Sequence, residues 1–82
     1  MTYKILIDRP AQKFILKQPP AQRKRLLDAI SNLPNTGDIK ALRGCPGVYR
    51  LRIGDYRVIY SVDHGQLLVQ VAAVGNRSDI YK

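Results

Sequence analysis

One stretch narrows the choice of fold more than any other: residues 48–62, VYRLRIGDYRVIYSV. Two β-branched and aromatic runs flank Gly54-Asp55, a dipeptide suited to a two-residue hairpin turn. Such a turn sets Ile53 opposite Tyr56, Arg52 opposite Arg57, Leu51 opposite Val58 and Arg50 opposite Ile59. Side chains alternate between the faces of a strand. One face of the hairpin therefore carries Tyr49, Leu51, Ile53, Tyr56, Val58, Tyr60 and Val62, and the other Arg50, Arg52, Arg57, Ile59 and Ser61. The first set must be covered by other elements; the second gathers three arginines on neighbouring positions.

The cover comes from upstream. Residues 2–7 (TYKILI) predict a short strand. Asp8 can then cap a helix that takes Pro10 in its first turn and runs to Lys17, where Pro19-Pro20 breaks it. A second helix runs from Pro20 to about Leu33, burying Leu26, Leu27, Ile30 and Leu33 at helical spacing. Arg23, Lys24 and Arg25 at its start oppose the helix dipole; a solvated face is the preferred reading and a phosphate contact the alternative. Residues 34–38 are loop chemistry, and 39–47 lead back toward the core. After the hairpin, residues 67–75 form a nearly continuous apolar strand, expected to be central and buried on both faces, with Ala72 and Ala73 leaving room on the arginine side. The expectation is one α+β domain spanning residues 1–82. Its order is βααβββ, with two N-terminal helices on one face of a small, mainly antiparallel four-stranded sheet.

Composition restricts function further. The 82 residues hold 14 lysines and arginines against 6 acids, all aspartate, for a net charge of +8. A small domain this basic points to a polyanion, with phosphates neutralised and counterions released. No apolar run nears the roughly 20 residues that span a membrane, and the N-terminus lacks the pattern of a secretion signal. Cys45 is the only cysteine, so no intrachain disulfide forms. These features point to the cytosol.

Like charges opposite one another on adjacent strands destabilise a sheet, so Arg52 facing Arg57 requires a counter-charge. Asp55, Asp63 or the C-terminal carboxylate could supply one; phosphate, which the guanidinium fork grips bidentately, is the preferred reading. Asn76 and Arg77 follow the last strand at its edge, and Tyr81 either folds back over the same surface or plugs the end of the core.

Tyr49-Arg50-Leu51-Arg52, followed by Tyr56-Arg57-Val58-Ile59-Tyr60, resembles the hairpin of RelE-type toxins. Val74-Gly75-Asn76-Arg77 leading to Ile80-Tyr81 resembles their C-terminal ending, and Leu42-Arg43-Gly44 their approach to the hairpin. The resemblance covers nearly the whole chain. It implies the toxin of a type II toxin–antitoxin pair. Such toxins are metal-independent endoribonucleases, with no cofactor, that cut messenger RNA in the ribosomal A site. The RNA 2′-hydroxyl attacks the adjacent phosphate and leaves a 2′,3′-cyclic phosphate. The implied partners are a small RelB-like antitoxin, in a complex of higher oligomeric order, and the ribosome with its message.

Carried over by position, Arg52, Arg57, Arg77 and Tyr81 are the catalytic set, and Arg50, Arg43 and Lys40 bind RNA phosphates. Physical chemistry agrees for the arginines, since guanidinium groups aimed at a phosphorane stabilise its added charge. An aromatic ring is also the usual support for an unstacked base. One position departs from the family pattern: Arg52 stands where lysine is frequent. Arginine does not give up its proton, so it cannot serve as general base. That leaves Tyr81 as a candidate; His64 reads as an exposed turn residue, and Asp79 as a partner of Arg77 or Lys82. Two alternatives stay open: a ParE-type inhibitor of DNA gyrase, which shares the fold, and a non-catalytic RNA- or ribosome-binding module.

Overall fold

Prolines bound the helical part of the chain and glycine turns bound the strands. The computed structural model describes residues 3–34 and 37–76. In chain order they form β1 (Lys4–Ile7), α1 (Arg9–Leu16), α2 (Pro20–Ser31), β2 (Asp38–Ala41), β3 (Val48–Ile53), β4 (Tyr56–Asp63) and β5 (Leu68–Asn76). The helices end where expected to within two residues, because Pro10 and Pro20 sit in first turns, where a missing N–H costs nothing. Asp8 does occupy the position before α1, but its side chain caps nothing. Its Oδ1 instead accepts a hydrogen bond from Gln70 Nε2 at 3.0 Å, joining the β1–α1 corner to β5.

The sheet order is β1-β5-β4-β3-β2. This corrects the four-stranded expectation in two respects. β2 is a fifth strand, pairing antiparallel with β3 (Asp38↔Arg52, Ile39↔Leu51, Lys40↔Arg50, Ala41↔Tyr49). The sheet is also mixed, because β1 runs parallel to β5 while the remaining neighbours are antiparallel. β2 leaves little trace in the sequence. It has four residues and Ile39 is its one large apolar side chain, so only backbone pairing to β3 defines it.

The hairpin register matches the count from the turn: Ile53↔Tyr56, Arg52↔Arg57, Leu51↔Val58 and Arg50↔Ile59. Gly54 makes the turn possible, since its φ of +58° lies in the left-handed region. A methyl group on it would also come within 3.0 Å of the Arg25 guanidinium of α2.

Leu51, Ile53, Val58, Tyr60, Val69, Val71 and Val74 of the sheet share the core with Ala11, Ile15, Leu26 and Ile30 of the helices. Tyr56 fastens the turn end of β4 to this layer: its ring meets Phe14 edge-on at 6.0 Å, and its hydroxyl donates to Gln18 Oε1 at 2.9 Å. β5 is central as expected, but it is not an all-apolar strand buried on both sides. Val69, Val71 and Val74 are buried, whereas Gln70 and Ala72 are exposed. The helices cover one side only. Among the described residues no helix is long and apolar enough to cross a membrane.

Tyr60 stacks on Tyr49 at 5.7 Å in the core, and burial, with a smaller contribution from Tyr49, pushes its pKa up to about 12. In the unfolded chain Tyr60 loses its proton near pH 10. Its contribution to stability is therefore complete below that pH and is lost as pH rises toward 12. Melting temperatures measured from pH 9 to 12 should fall along this limb in the wild type. In Tyr60→Phe the limb should flatten; an unchanged alkaline slope would place the titration elsewhere.

Candidate anion-binding site on the open sheet face

Paired residues on adjacent strands share a face, so the register lays out the side of the sheet that the helices leave uncovered. One row reads Asp38–Arg52–Arg57–Gly75 across β2, β3, β4 and β5; the next reads Lys40–Arg50–Ile59–Ala73. Successive rows lie two residues apart along a strand, about 6.6 Å. Arg52 and Arg57 face each other across roughly 5 Å of backbone, as the turn requires.

Burial separates the two arginines. Arg52 is exposed, whereas Arg57 is only 5% exposed and is the one charged residue in the buried class among the described residues. Its strand neighbour toward β5, Gly75, has no side chain to offer a bond. Among the described residues no hydrogen-bond acceptor reaches Nε or Nη1 of Arg57. A buried cationic donor without a partner is costly, by about 1–3 kcal/mol for a single unmet group and more when it is charged. Of the carboxylates considered from sequence, Asp55 lies exposed in the turn, Asp63 Oδ1 accepts the backbone N–H of Gln66 at 3.1 Å at the opposite end of β4, and the C-terminal carboxylate lies outside the described residues. Arg57 thus sets a buried guanidinium beside the exposed Arg52 on the side of the sheet that the helices leave uncovered.

The other residues named from sequence divide by place. Lys40 and Arg50 form the row beside Arg52, so β2, the strand sequence reasoning missed, is what brings Lys40 to the site. Arg43 does not join them. It sits exposed in the β2–β3 connection, beyond Val48, which is four residues or about 13 Å along β3 from Arg52. Arg77 and Tyr81, like Asp79, lie outside the described residues. His64 is exposed at the β4–β5 connection, far from Arg52, and its Nδ1 meets the hydroxyl of Tyr3 at 2.7 Å. Two residues near the arginines were missed. Asp38 faces Arg52, and Arg25 of α2 reaches the Gly54 turn from the helix side. Neither has a sequence signal, since both positions depend on tertiary pairing.

A separate cavity of about 290 Å³ lies on the helix side of the sheet, lined by Tyr3, Ile39, Tyr49, Tyr60, Val62 and His64, with Pro34 at its edge. None of the arginines borders it, so its chemistry is distinct from that of the open face.

The unmet charge has a measurable consequence. Arg57→Met keeps the length of the side chain and removes its charge. Urea melts should show it to be more stable than the wild type by about 1–3 kcal/mol. A loss of stability would mean that the guanidinium is satisfied in the folded protein.

Three comparisons bear on this arrangement. Residues 8–81 match the model of the ParE toxin family of the type II toxin–antitoxin system parDE. A curated relative from Methanocaldococcus jannaschii, a RelE1 toxin, is 30% identical over 88 residues, spanning 100% of this chain and 98% of the relative. Among solved structures, the RelE–RelB complex of Pyrococcus horikoshii contains a chain 31% identical, with a TM-score of 0.78 over 96% of this chain and 99% of that one. The isolated RelE toxin of Escherichia coli is 30% identical, with a TM-score of 0.73 over 98% of this chain and 92% of that one. Sequence and fold therefore agree along nearly the whole chain, and this protein belongs to the RelE/ParE superfamily of type II toxin–antitoxin toxins.

Proposed function

We propose that this chain is a single-domain, ribosome-dependent messenger RNA endonuclease of residues 1–82, acting in the cytoplasm to arrest translation. The observation that carries this reading is the buried guanidinium of Arg57, with Nε and Nη1 unbonded, beside exposed Arg52 on an open face. A scissile phosphate is the anion that satisfies both. Attack of the RNA 2′-oxygen on phosphorus forms a P–O bond as the bond to the 5′-oxygen breaks. The proton leaves the 2′-hydroxyl for a general base, and the 5′-oxygen takes one up. Between these events the phosphorane carries added negative charge. Arg57, already desolvated and held by its strand, can stabilise that charge without reorganising, an effect worth about 10²–10³-fold in rate for a single well-placed donor.

Arg52 in this scheme binds the phosphate from the solvent side and moves no proton. Arg50 and Lys40 hold the flanking phosphates, with Arg43 more distant along the same strand pair. Arg77 and Tyr81 complete the catalytic set by resemblance to RelE-type toxins. Tyr81 is the candidate to stack on a base or accept the 2′-hydroxyl proton among the arginines. The cognate partner is a small RelB-like antitoxin, in keeping with the RelB-bound state of the Pyrococcus relative, and the complex forms a higher oligomer.

A second reading has one observation in its favour, the match to a family described by its parDE toxins. In that case DNA gyrase is the target and no RNA is cut. Induced expression separates the two. The ribonuclease reading expects growth and translation arrest, with primer extension showing cuts inside codons of ribosome-bound messages. It expects Arg57→Ala or Arg77→Ala to lower cleavage about 100-fold or more while the protein stays folded. Intact messages with DNA breaks and an SOS response would transfer the assignment to gyrase. Wild-type cleavage by both arginine variants would misplace the site.

A further inference from the structure

The cavity on the helix side of the sheet is built from residues that the anion site does not use. Ile39 of β2, Tyr49 of β3 and Tyr60 and Val62 of β4 meet Tyr3, just before β1, and His64, just after β4. Tyr60, 1% exposed, is its floor, and exposed His64 stands at its rim; the others are half-buried, so the cavity opens to solvent. Val62 lies five residues along β4 from Arg57, about 16 Å away and on the opposite face. At about 290 Å³ the cavity sits at the lower end of ligand pockets, which span about 300–1,000 Å³, and so takes a single ring system.

Its chemistry departs from the rest of this basic chain. No lysine, arginine, aspartate or glutamate lines it among the described residues; rings do. Tyr49 and Tyr60 lie nearly parallel, at 27° and 5.7 Å. Tyr3 meets His64 edge-on at 85°, and their 2.7 Å hydrogen bond holds both rings at the rim. The hydroxyls of Tyr49 and Tyr60 make no hydrogen bond among the described residues. Burial keeps the Tyr60 phenol protonated to about pH 12, so it is a neutral donor at ordinary pH. Dry packing voids are closed and apolar. An open cavity that joins aromatic faces to unbonded hydroxyls is a surface for stacking a ring and meeting its polar edge.

We propose that this cavity is a second binding site, and that it takes a nucleobase: a neutral planar ring stacked on the tyrosines, its edge bonded by the Tyr49 and Tyr60 hydroxyls and the Tyr3–His64 pair. A charged ligand finds no counter-charge inside. An aliphatic one leaves the hydroxyls unmet. A base satisfies both conditions, because every base has a π-face and a hydrogen-bonding edge. A free nucleoside and an unstacked base of an RNA strand present that same chemistry. The site lies on the other side of the sheet from Arg52 and Arg57, so it does not depend on the ribonuclease reading.

The test is an NMR chemical-shift titration of the purified full-length protein. The ligands are adenosine, cytidine and uridine, indole as an apolar ring of similar size, and a single-stranded RNA trinucleotide beside its counterpart lacking the central base. At least one nucleoside should bind saturably, shift tyrosine and His64 ring signals, and bind about tenfold or more tightly than indole. Val62→Phe fills the cavity, and His64→Ala alters an exposed rim position that the fold tolerates; thermal melts check both. A rise in Kd of about tenfold or more is expected in each folded variant. If the trinucleotide binds more tightly than the nucleosides, and loses that margin without its central base and in the variants, an RNA strand is the source. If its binding ignores both changes while a nucleoside still responds to the variants, the free nucleoside is. Either result supports the site. No saturable binding, indole as tight as the nucleosides, or wild-type affinity in every folded variant overturns it. None of these readouts involves RNA cleavage, so the ribonuclease reading stands or falls separately.

Discussion

Everything on this molecule depends on the register fixed at Gly54 and Asp55. Side-chain direction in a strand has a period of two, so a slip of one residue in β4 against β3 would send Arg57 into the core and Val58 and Tyr60 into water. Burying a cation there while exposing that much apolar surface is prohibitive for an 82-residue chain with a small core. Register is thus secured twice over, by turn geometry and by the cost of the alternative. The tyrosines add to this on the core side, where Tyr49 stacks on Tyr60, and Tyr56 bonds to Gln18 at the corner between the helices.

Against that background the buried state of Arg57 stands out. A fold selected for stability alone would place a hydrophobic residue there, or give the guanidinium a carboxylate. Instead the neighbouring position toward β5 is Gly75, and among the described residues Nε and Nη1 face no acceptor. Stability given up at one position in exchange for a pre-oriented charge is the usual relation between an anion site and its scaffold. Desolvation also makes that charge more effective, because the local dielectric is lower than at an exposed arginine such as Arg52. The two arginines are therefore unequal partners: one is held in place by the fold, and the other is free to adjust to what arrives.

The sheet also separates two kinds of chemistry. Its open face carries cations in rows at strand spacing, suited to a phosphate backbone. Its covered face supports two helices whose outer surface is basic but interrupted by the exposed Leu16 and Leu27. With a net charge of +8 both surfaces attract anions over a distance, and short-range packing distinguishes one anionic partner from another.

Local pattern accounts for much of this. The helix limits, the β3–β4 hairpin, its register and the gathering of Arg50, Arg52 and Arg57 on one face all follow from prolines, alternation and a two-residue turn, which are properties of neighbouring residues. What local pattern does not contain is long-range pairing. The strand Asp38–Ala41 has no alternation to betray it and exists because β3 offers it an edge, and with it come Lys40 and Asp38 beside the arginines. The parallel pairing of β1 with β5 joins segments more than sixty residues apart, and the exposure of Gln70 and Ala72 follows from where the helices stop covering the sheet. Most telling is the contrast between Arg52 and Arg57. Alternation and turn length alone require that they face one another. That Arg57 is buried, with Nε and Nη1 unbonded among the described residues, while Arg52 meets solvent, comes from tertiary packing, because burial depends on what the rest of the chain places over each strand.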